Sequence, residues 1–131
     1  MQKLIKLLLT SQLLLPVAIL CTASILVLSI SDISSLPKLQ ISYEDKLYHF
    51  VAYFVLNSIW LIALLKKNGY QLKKILLTSL SIVVFGIIIE IVQGSLTDSR
   101  AFDILDILAN SIAVVVSFFC FMLVKKSFLK K

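Results

Sequence analysis

The chain has 131 residues, of which 60% are hydrophobic and only 15% are charged. Soluble domains average about 25% charged residues, so this composition excludes an ordinary soluble domain and favours a membrane protein. The formal net charge is +6, but the lysines flank apolar segments, where basic residues set membrane topology and do not indicate nucleic-acid binding. Cys21 and Cys120 lie within apolar runs, which predicts small buried hydrophobic residues and neither a redox pair nor a metal site.

Four apolar segments along the chain are long enough to span a bilayer as helices. The first, residues 7–30, has no charge and is too long for a signal peptide, so we interpret it as an uncleaved span. The second span, residues 43–65, is preceded by a capping-box pattern that begins at Ser42. It is followed by Asn68-Gly69, a turn signal. The third and fourth are residues 75–94 and 103–124. The prediction is an all-α, four-transmembrane-helix bundle in one domain over residues 1–131.

The basic residues are distributed unequally between the two sides of this four-span arrangement. Ten of the thirteen lie in the two terminal segments and in the loop after the second span, and Lys38, Lys46 and Arg100 lie on the other side. Because basic residues concentrate on the cytoplasmic side, we expect both termini to be cytoplasmic in the cell membrane. All seven acidic residues then fall on the extracytoplasmic side.

Three of the spans carry polar residues at helical spacing near that same side. These stripes are Asp45, His49 and Tyr53 on the second span, Gly86, Glu90 and Gln93 on the third, and Asp103, Asp106 and Asn110 on the fourth. Ionisable side chains are costly near hydrocarbon and normally face the interior of a bundle. We therefore expect the stripes to converge on one outward-opening pocket, with Lys46 and Arg100 as cations at its rim.

Several of these residues also fit purely structural roles. Asp45, Asp103 and Asp106 lie near predicted helix starts, where acidic residues cap the helix and complement its dipole. Glu90 has no such role, because it lies towards the end of its helix, where the dipole disfavours an anion. Arg100 fits an ion pair with an acid as well as it fits an anion-binding fork.

Tyr53 and Asn110 have equally plain alternatives. A tyrosine at this depth is typical of an interfacial aromatic residue, and an asparagine within a span is typical of a hydrogen bond between helices.

The order and spacing of the motifs point to a known family. Asp45-Lys46-x-x-His49-x-x-x-Tyr53, Glu90-x-x-Gln93 and Arg100-x-x-Asp103-x-x-Asp106-x-x-x-Asn110 together resemble the VanZ-like family of small bacterial membrane proteins. The motifs cover residues 45–110, and the family's usual glycine three residues after the asparagine is replaced by another small residue, Ala113. The resemblance implies a polytopic membrane protein and a link to glycopeptide (teicoplanin) resistance through the family's namesake, without a settled reaction.

The leading hypothesis is an envelope enzyme or binding site for a lipid-linked or cell-wall-related molecule at the outer leaflet. His49 would be a general base, oriented by Asp45 or Asp106, and Arg100 would hold a headgroup. The predicted catalytic residues are His49, Asp45, Glu90 and Asp106, and the predicted substrate contacts are Lys46, Tyr53, Gln93, Arg100, Asp103 and Asn110. Membrane lipids and a lipid-linked envelope precursor are the expected partners.

No cofactor is identified by the sequence. The carboxylates of Glu90, Asp103 and Asp106 would suit Mg²⁺, but no zinc-protease, redox, serine-hydrolase or nucleotide-binding motif occurs, and no metal site is assigned.

Three alternatives stay open. One is a non-catalytic module that recognises a headgroup, an antibiotic or a partner protein. A second is an ion-coupled transporter, against which the cytoplasmic halves of the spans argue because they contain no ionisable relay. The third is a charge-paired plug that ties the helices together, although buried ion pairs stabilise poorly compared with apolar packing.

Overall fold

The structure is a computed structural model that describes residues 11–31, 44–96 and 102–129. Its helices are α1 (Ser11–Ile30), α2 (Glu44–Asn68), α3 (Leu72–Leu96) and α4 (Ile104–Leu129). All four are long and apolar enough to cross a bilayer. The predicted all-α fold with four transmembrane helices is confirmed, and the chain is a multi-pass membrane protein.

The helices continue beyond the apolar segments from which they were predicted. α2 continues to Asn68, α3 begins at Leu72, and α4 continues to Leu129. The predicted spans ended at the first charged residues, but lysine is a good helix former and complements the dipole at a helix C-terminus. Ser42 of the capping box and residues 7–10 of the first span lie outside the described residues.

A tight turn joins α2 to α3, as the Asn68-Gly69 pair predicts. Gly69 has a φ of 68°, and its backbone N–H donates to the carbonyl oxygen of Leu65 over 2.9 Å. This left-handed conformation at a helix end favours glycine, which has no Cβ to clash. The ammonium of Lys125 lies 3.8 Å from the ring centroid of Tyr70, so the turn also contacts the far end of α4.

α2 is the central helix of the bundle, because it packs against each of the other three and most extensively against α4. Two apolar clusters form this core, one of Tyr53, Leu56, Ile82, Ala113 and Val114, the other of Leu61, Leu65, Ile75 and Phe121. Ala113 is fully buried, which is consistent with the close helix packing that small residues allow in membranes. Large apolar side chains remain exposed on the outer faces, where they would contact lipid.

Polar side chains link the helices in the middle of the bundle. The amide of Asn57 donates to the carbonyl oxygen of Val114 over 3.3 Å and to the hydroxyl of Ser117 over 3.1 Å. The indole N–H of Trp60 donates to the hydroxyl of Thr22 over 3.0 Å, which joins α2 to α1. These hydrogen bonds join α2 to α4 and to α1.

The two cysteines are free thiols with different surroundings. Cys21 is partly buried and packs against the first apolar cluster, whereas Cys120 is exposed on the outer face of α4. The prediction of burial is therefore wrong for Cys120, because an apolar run in a membrane helix also supplies the face that points to lipid.

Candidate functional site

One pocket of about 420 Å³ lies where α2 and α4 begin and α1 and α3 end. Seven of the ten predicted site residues line it: Asp45, His49, Tyr53, Glu90, Gln93, Asp103 and Asp106. Lys46 contacts three of these carboxylates, and Asn110 is not part of the wall. Arg100 lies outside the described residues. Polar stripes from three helices thus meet at one end of an otherwise apolar bundle.

Four of these residues form what we call the lysine cluster: Lys46, Asp45, Asp103 and Asp106. The ammonium of Lys46 lies 2.5 Å from Oδ2 of Asp45, 2.5 Å from Oδ2 of Asp103 and 2.9 Å from Oδ1 of Asp106. Because Lys46 is in the first turns of α2 and two of the acids are at the start of α4, the cluster ties these two helix N-termini together.

Asp103 has a structural role in addition to its ion pair. Its Oδ1 accepts a hydrogen bond from the backbone N–H of Leu105 over 2.8 Å, as expected of the residue that caps α4. The hydrogen bond from Lys46, together with that from Leu105, lowers the pKa of the Asp103 carboxyl below its ordinary value. Both carboxylate oxygens of Asp103 are therefore engaged, which agrees with the capping alternative for this residue.

The second group, which we call the histidine cluster, contains His49, Glu90, Asp106 and Tyr53. His49 lies between two acids: Nδ1 is 3.8 Å from Oε1 of Glu90, and Nε2 is 3.5 Å from Oδ2 of Asp106. Both distances exceed those of ordinary hydrogen bonds. The buried Oε1 of Glu90 and the buried hydroxyl of Tyr53 find no hydrogen-bond partner in the described part of the chain.

Asp106 belongs to both clusters and presents one oxygen to each. Oδ1 faces the ammonium of Lys46, and Oδ2 faces the imidazole of His49. The lysine therefore holds the carboxylate in an orientation that directs its other oxygen to the histidine cluster.

The pocket is acidic in its described part. Four carboxylates line it. The positive partners in its described ion pairs are Lys46 and, when protonated, His49. Asp45 and Asp106 lie in the first turns of α2 and α4, where the helix dipole stabilises an anion. Glu90 lies in the C-terminal half of α3 and is only 1% exposed. A buried carboxylate without compensation is costly, so Glu90 is the group for which the site most needs a positively charged partner.

Gln93 and Asn110 are both buried but have different positions. The side-chain amide of Gln93 donates to the backbone carbonyl of Ser29 over 2.8 Å and so connects α3 to α1 beside the pocket. Asn110 lies two turns after Asp103 on α4 and contacts the Gly86 region of α3. A Cβ added to Gly86 would lie 3.0 Å from the Tyr53 ring and 3.3 Å from Nδ2 of Asn110. Asn110 therefore lies at the crossing of α3 and α4, next to Tyr53 and outside the pocket wall, and its substrate contact stays a prediction.

Two contributions to the pocket were not predicted. α1 provides Ile25, Leu28 and Ser29, although the first span carries no motif. Ser29 acts through its backbone carbonyl, which any residue supplies, so no sequence pattern could have identified it. Tyr48 and Ala52 of α2 also line the pocket; Ala52 lies three residues after His49, and this helical spacing was the available signal.

A second, mainly apolar cavity of about 290 Å³ lies between α1, α2 and α3. Its lining residues are Thr22, Leu56, Trp60, Thr78, Ser81, Ile82 and Phe85. Thr22 is one turn from Ile25, and Leu56 is one turn from Tyr53, so the cavity begins close to the inner end of the pocket.

No family model, curated protein or solved structure matches the chain. The VanZ-like assignment therefore depends on the motifs of residues 45–110 and stays a prediction.

Proposed function

We propose that this chain is a VanZ-like protein of the bacterial cell membrane whose pocket receives the polar head of an amphipathic, lipid-linked or other cell-envelope molecule. The observation that carries this proposal is the histidine cluster, in which Oε1 of Glu90 and the hydroxyl of Tyr53 are buried on the pocket wall without hydrogen-bond partners among the described residues. Buried polar atoms of folded proteins are nearly always paired. Asn57, Ser79 and Asn110 also bury unpaired atoms, but they lie away from the pocket wall. Tyr53 and Glu90 line the pocket, so a ligand that pairs with their unpaired atoms accounts for both.

The apolar cavity supports an amphipathic ligand. From Glu90 in the pocket to Thr78 in the cavity is twelve residues of α3, or about 18 Å along the helix. A headgroup in the pocket would place a hydrocarbon tail against Leu56, Ile82 and Phe85. Burial of that tail would contribute roughly 25 cal/mol for each Å² removed from water when the molecule is delivered from solution.

The excess of basic residues at the termini and around the α2–α3 turn supports an extracytoplasmic pocket. That location is where cell-wall precursors and glycopeptide antibiotics are encountered, which agrees with the resistance implied by the VanZ-like motifs. Loss of the chain would then alter teicoplanin susceptibility.

Catalysis on this ligand would use His49 as the general base. Its Nε2 is 3.5 Å from Oδ2 of Asp106, and the contact between a general base and the group that orients it is often long in a free enzyme and shortens when substrate binds.

The second candidate function is a non-catalytic binding module. It is favoured by the lengths of both His49–carboxylate contacts, 3.5 and 3.8 Å, because neither is a formed hydrogen bond.

The test uses the full chain in lipid nanodiscs, incubated with lipid-linked cell-wall precursors while binding and product formation are followed separately. An enzyme gives product, and His49→Ala abolishes turnover while binding is kept. A binding module gives saturable binding without product, which survives His49→Ala and weakens with Arg100→Ala. Lys74→Ala, on the exposed start of α3 at the other end of the bundle, is the matched charge-removal control and should change neither.

The proposal is contradicted if neither the precursors, nor phospholipids, nor teicoplanin show saturable binding to a folded protein. Binding that is unchanged in both Glu90→Gln and Tyr53→Phe would also contradict it, because these are the groups that the ligand is proposed to satisfy.

A further inference from the structure

We infer that His49, Glu90 and Asp106 form a binding site for a divalent cation of the first transition row, such as Mn²⁺ or Zn²⁺. Each residue offers one ligand atom, and these atoms all lie within 4.8 Å of one another. The three residues come from α2, α3 and α4, so the site would join three helices. This inference goes beyond the proposed function, because it depends on the geometry of the side chains and assumes nothing about the organic ligand.

A cluster of acids alone would not establish a metal site, but the phenol of Tyr53 gives independent evidence. Tyr53 is 2% exposed, lines the same pocket one turn from His49, and its hydroxyl has no hydrogen-bond partner among the described residues. The hydroxyl could pair with a water molecule or ligand oxygen held by the cation. The cation would also balance the charge of Glu90, whose described ion-pair partner is His49 at 3.8 Å.

The lysine cluster selects this set of ligands over the alternative one. Asp45, Asp103 and Asp106 also lie close enough together to hold an ion, but the ammonium of Lys46 already lies among their oxygens. By holding Oδ1 of Asp106, Lys46 leaves Oδ2 directed at His49. Outer groups that orient a ligating carboxylate in this way are a regular feature of metal sites.

The chemistry of the donor set indicates the class of metal. Mg²⁺ and Ca²⁺ prefer all-oxygen sites, whereas an imidazole nitrogen favours transition-metal ions such as Zn²⁺. The two carboxylates of the set also suit Mn²⁺. Asp103, which the sequence suggested as a Mg²⁺ ligand, has both carboxylate oxygens engaged and is replaced here by His49. Ligands about 2.1 Å from a metal ion lie between about 3 and 4 Å apart, so small side-chain rotations would close the site.

Three protein ligands leave coordination positions for water or another oxygen. Open positions of this kind distinguish sites that bind or transform a ligand from closed structural sites. A cation here would also allow the acidic pocket to receive an anionic headgroup, such as the phosphate of a lipid-linked precursor, which the carboxylates alone would repel.

The test is Mn²⁺ binding to the purified full chain, prepared without a polyhistidine tag and treated with a chelator. Bound Mn²⁺ is counted from the loss of the free-ion electron paramagnetic resonance signal. Because His49 is the only histidine in the chain, a nitrogen coupling in the pulsed spectrum of bound Mn²⁺ assigns the ion to this site. We expect one Mn²⁺ per chain with that coupling, and competition by Zn²⁺.

Three variants test the ligands individually. His49→Gln should remove the nitrogen coupling, and Glu90→Gln and Asp106→Asn should each weaken affinity at least about 10-fold, the lower bound seen even for outer groups. Glu44→Gln makes the same chemical change in the first turn of α2 outside the pocket wall, and should leave affinity unchanged. Circular dichroism and gel filtration identify any variant that misfolds, and the remaining ligand variants then decide the result.

The inference is overturned if neither Mn²⁺ nor Zn²⁺ binds the folded chain. It is also overturned if binding survives Glu90→Gln without a nitrogen coupling, since the ion would then lie elsewhere. Metal binding by a chain that binds none of the precursors, phospholipids or teicoplanin would keep the metal site and reject the proposed function. Saturable binding of one of these ligands by a chain that binds no metal would keep the proposed function and reject the metal site.

Discussion

Replacing Lys46 with glutamine keeps a polar side chain of similar length and removes the positive charge between α2 and α4. The ammonium lies close to three carboxylates, but these differ in exposure: the side chain of Asp106 is 13% exposed, that of Asp103 35% and that of Asp45 57%. The pair of Lys46 with Asp106 is therefore the least screened by solvent. In the variant, Asp106 keeps its charge and loses its lysine.

The magnitude follows from this burial. Exposed ion pairs contribute about 0.2–1 kcal/mol, and removal of one partner of a fully buried pair costs about 3–5 kcal/mol. Lys46 is 19% exposed and Asp106 13% exposed, so their coupling should fall between these limits, at about 2 kcal/mol. This corresponds to a factor of about 30 in the unfolding equilibrium. The coupling with Asp45 should be about 0.5 kcal/mol, because that carboxylate is mostly solvated.

The assay is a double-mutant cycle on the free energy of unfolding, measured by titration with a denaturing detergent and followed by circular dichroism. We expect Asp106→Asn to restore part of the stability lost in Lys46→Gln, since it removes the unpaired charge. The cycle of Lys46→Gln with Asp45→Asn is the matched control. Equal coupling energies in the two cycles would refute the reasoning that burial sets the strength of the Lys46 ion pairs. A coupling energy with Asp106 below about 0.5 kcal/mol would also refute it.

Two further predictions concern topology and packing. With both native cysteines replaced by serine, a membrane-impermeant maleimide applied outside the cell should label Asp98→Cys and not Asn68→Cys; the opposite pattern would invert the topology. Gly86→Val places a Cβ 3.0 Å from the ring of Tyr53 and should lower the free energy of unfolding by about 1–3 kcal/mol. Ile88→Val, on the exposed face of α3, is the control, and an equal loss there would contradict the close approach.

Hydropathy predicted the four helices because crossing a bilayer requires only sufficient length and apolar composition. Helical spacing likewise predicted that Asp45, His49 and Tyr53 share a face of α2, and all three line the pocket. These features depend on local sequence, which explains why they could be obtained without the fold.

Other features of the site depend on how the helices pack, and no local pattern specifies them. Helical spacing placed Asn110 on the same face of α4 as Asp106. It could not predict that Asn110 lies deeper in the bundle, where α4 packs against Gly86 of α3. It could not divide the two oxygens of Asp106 between Lys46 and His49. Nor could it identify Ser29, which contributes only a backbone carbonyl.

Cross-linking tests most directly whether polar side chains from separate helices face one pocket. In a chain without native cysteines, His49→Cys and Glu90→Cys are combined and treated with a short bifunctional thiol reagent. The contact of 3.8 Å between these side chains predicts an intramolecular cross-link, detected by mass spectrometry. Val51→Cys, on an exposed face of α2, combined with Glu90→Cys should give none. A cross-link in the control pair, with none between positions 49 and 90, would contradict the account.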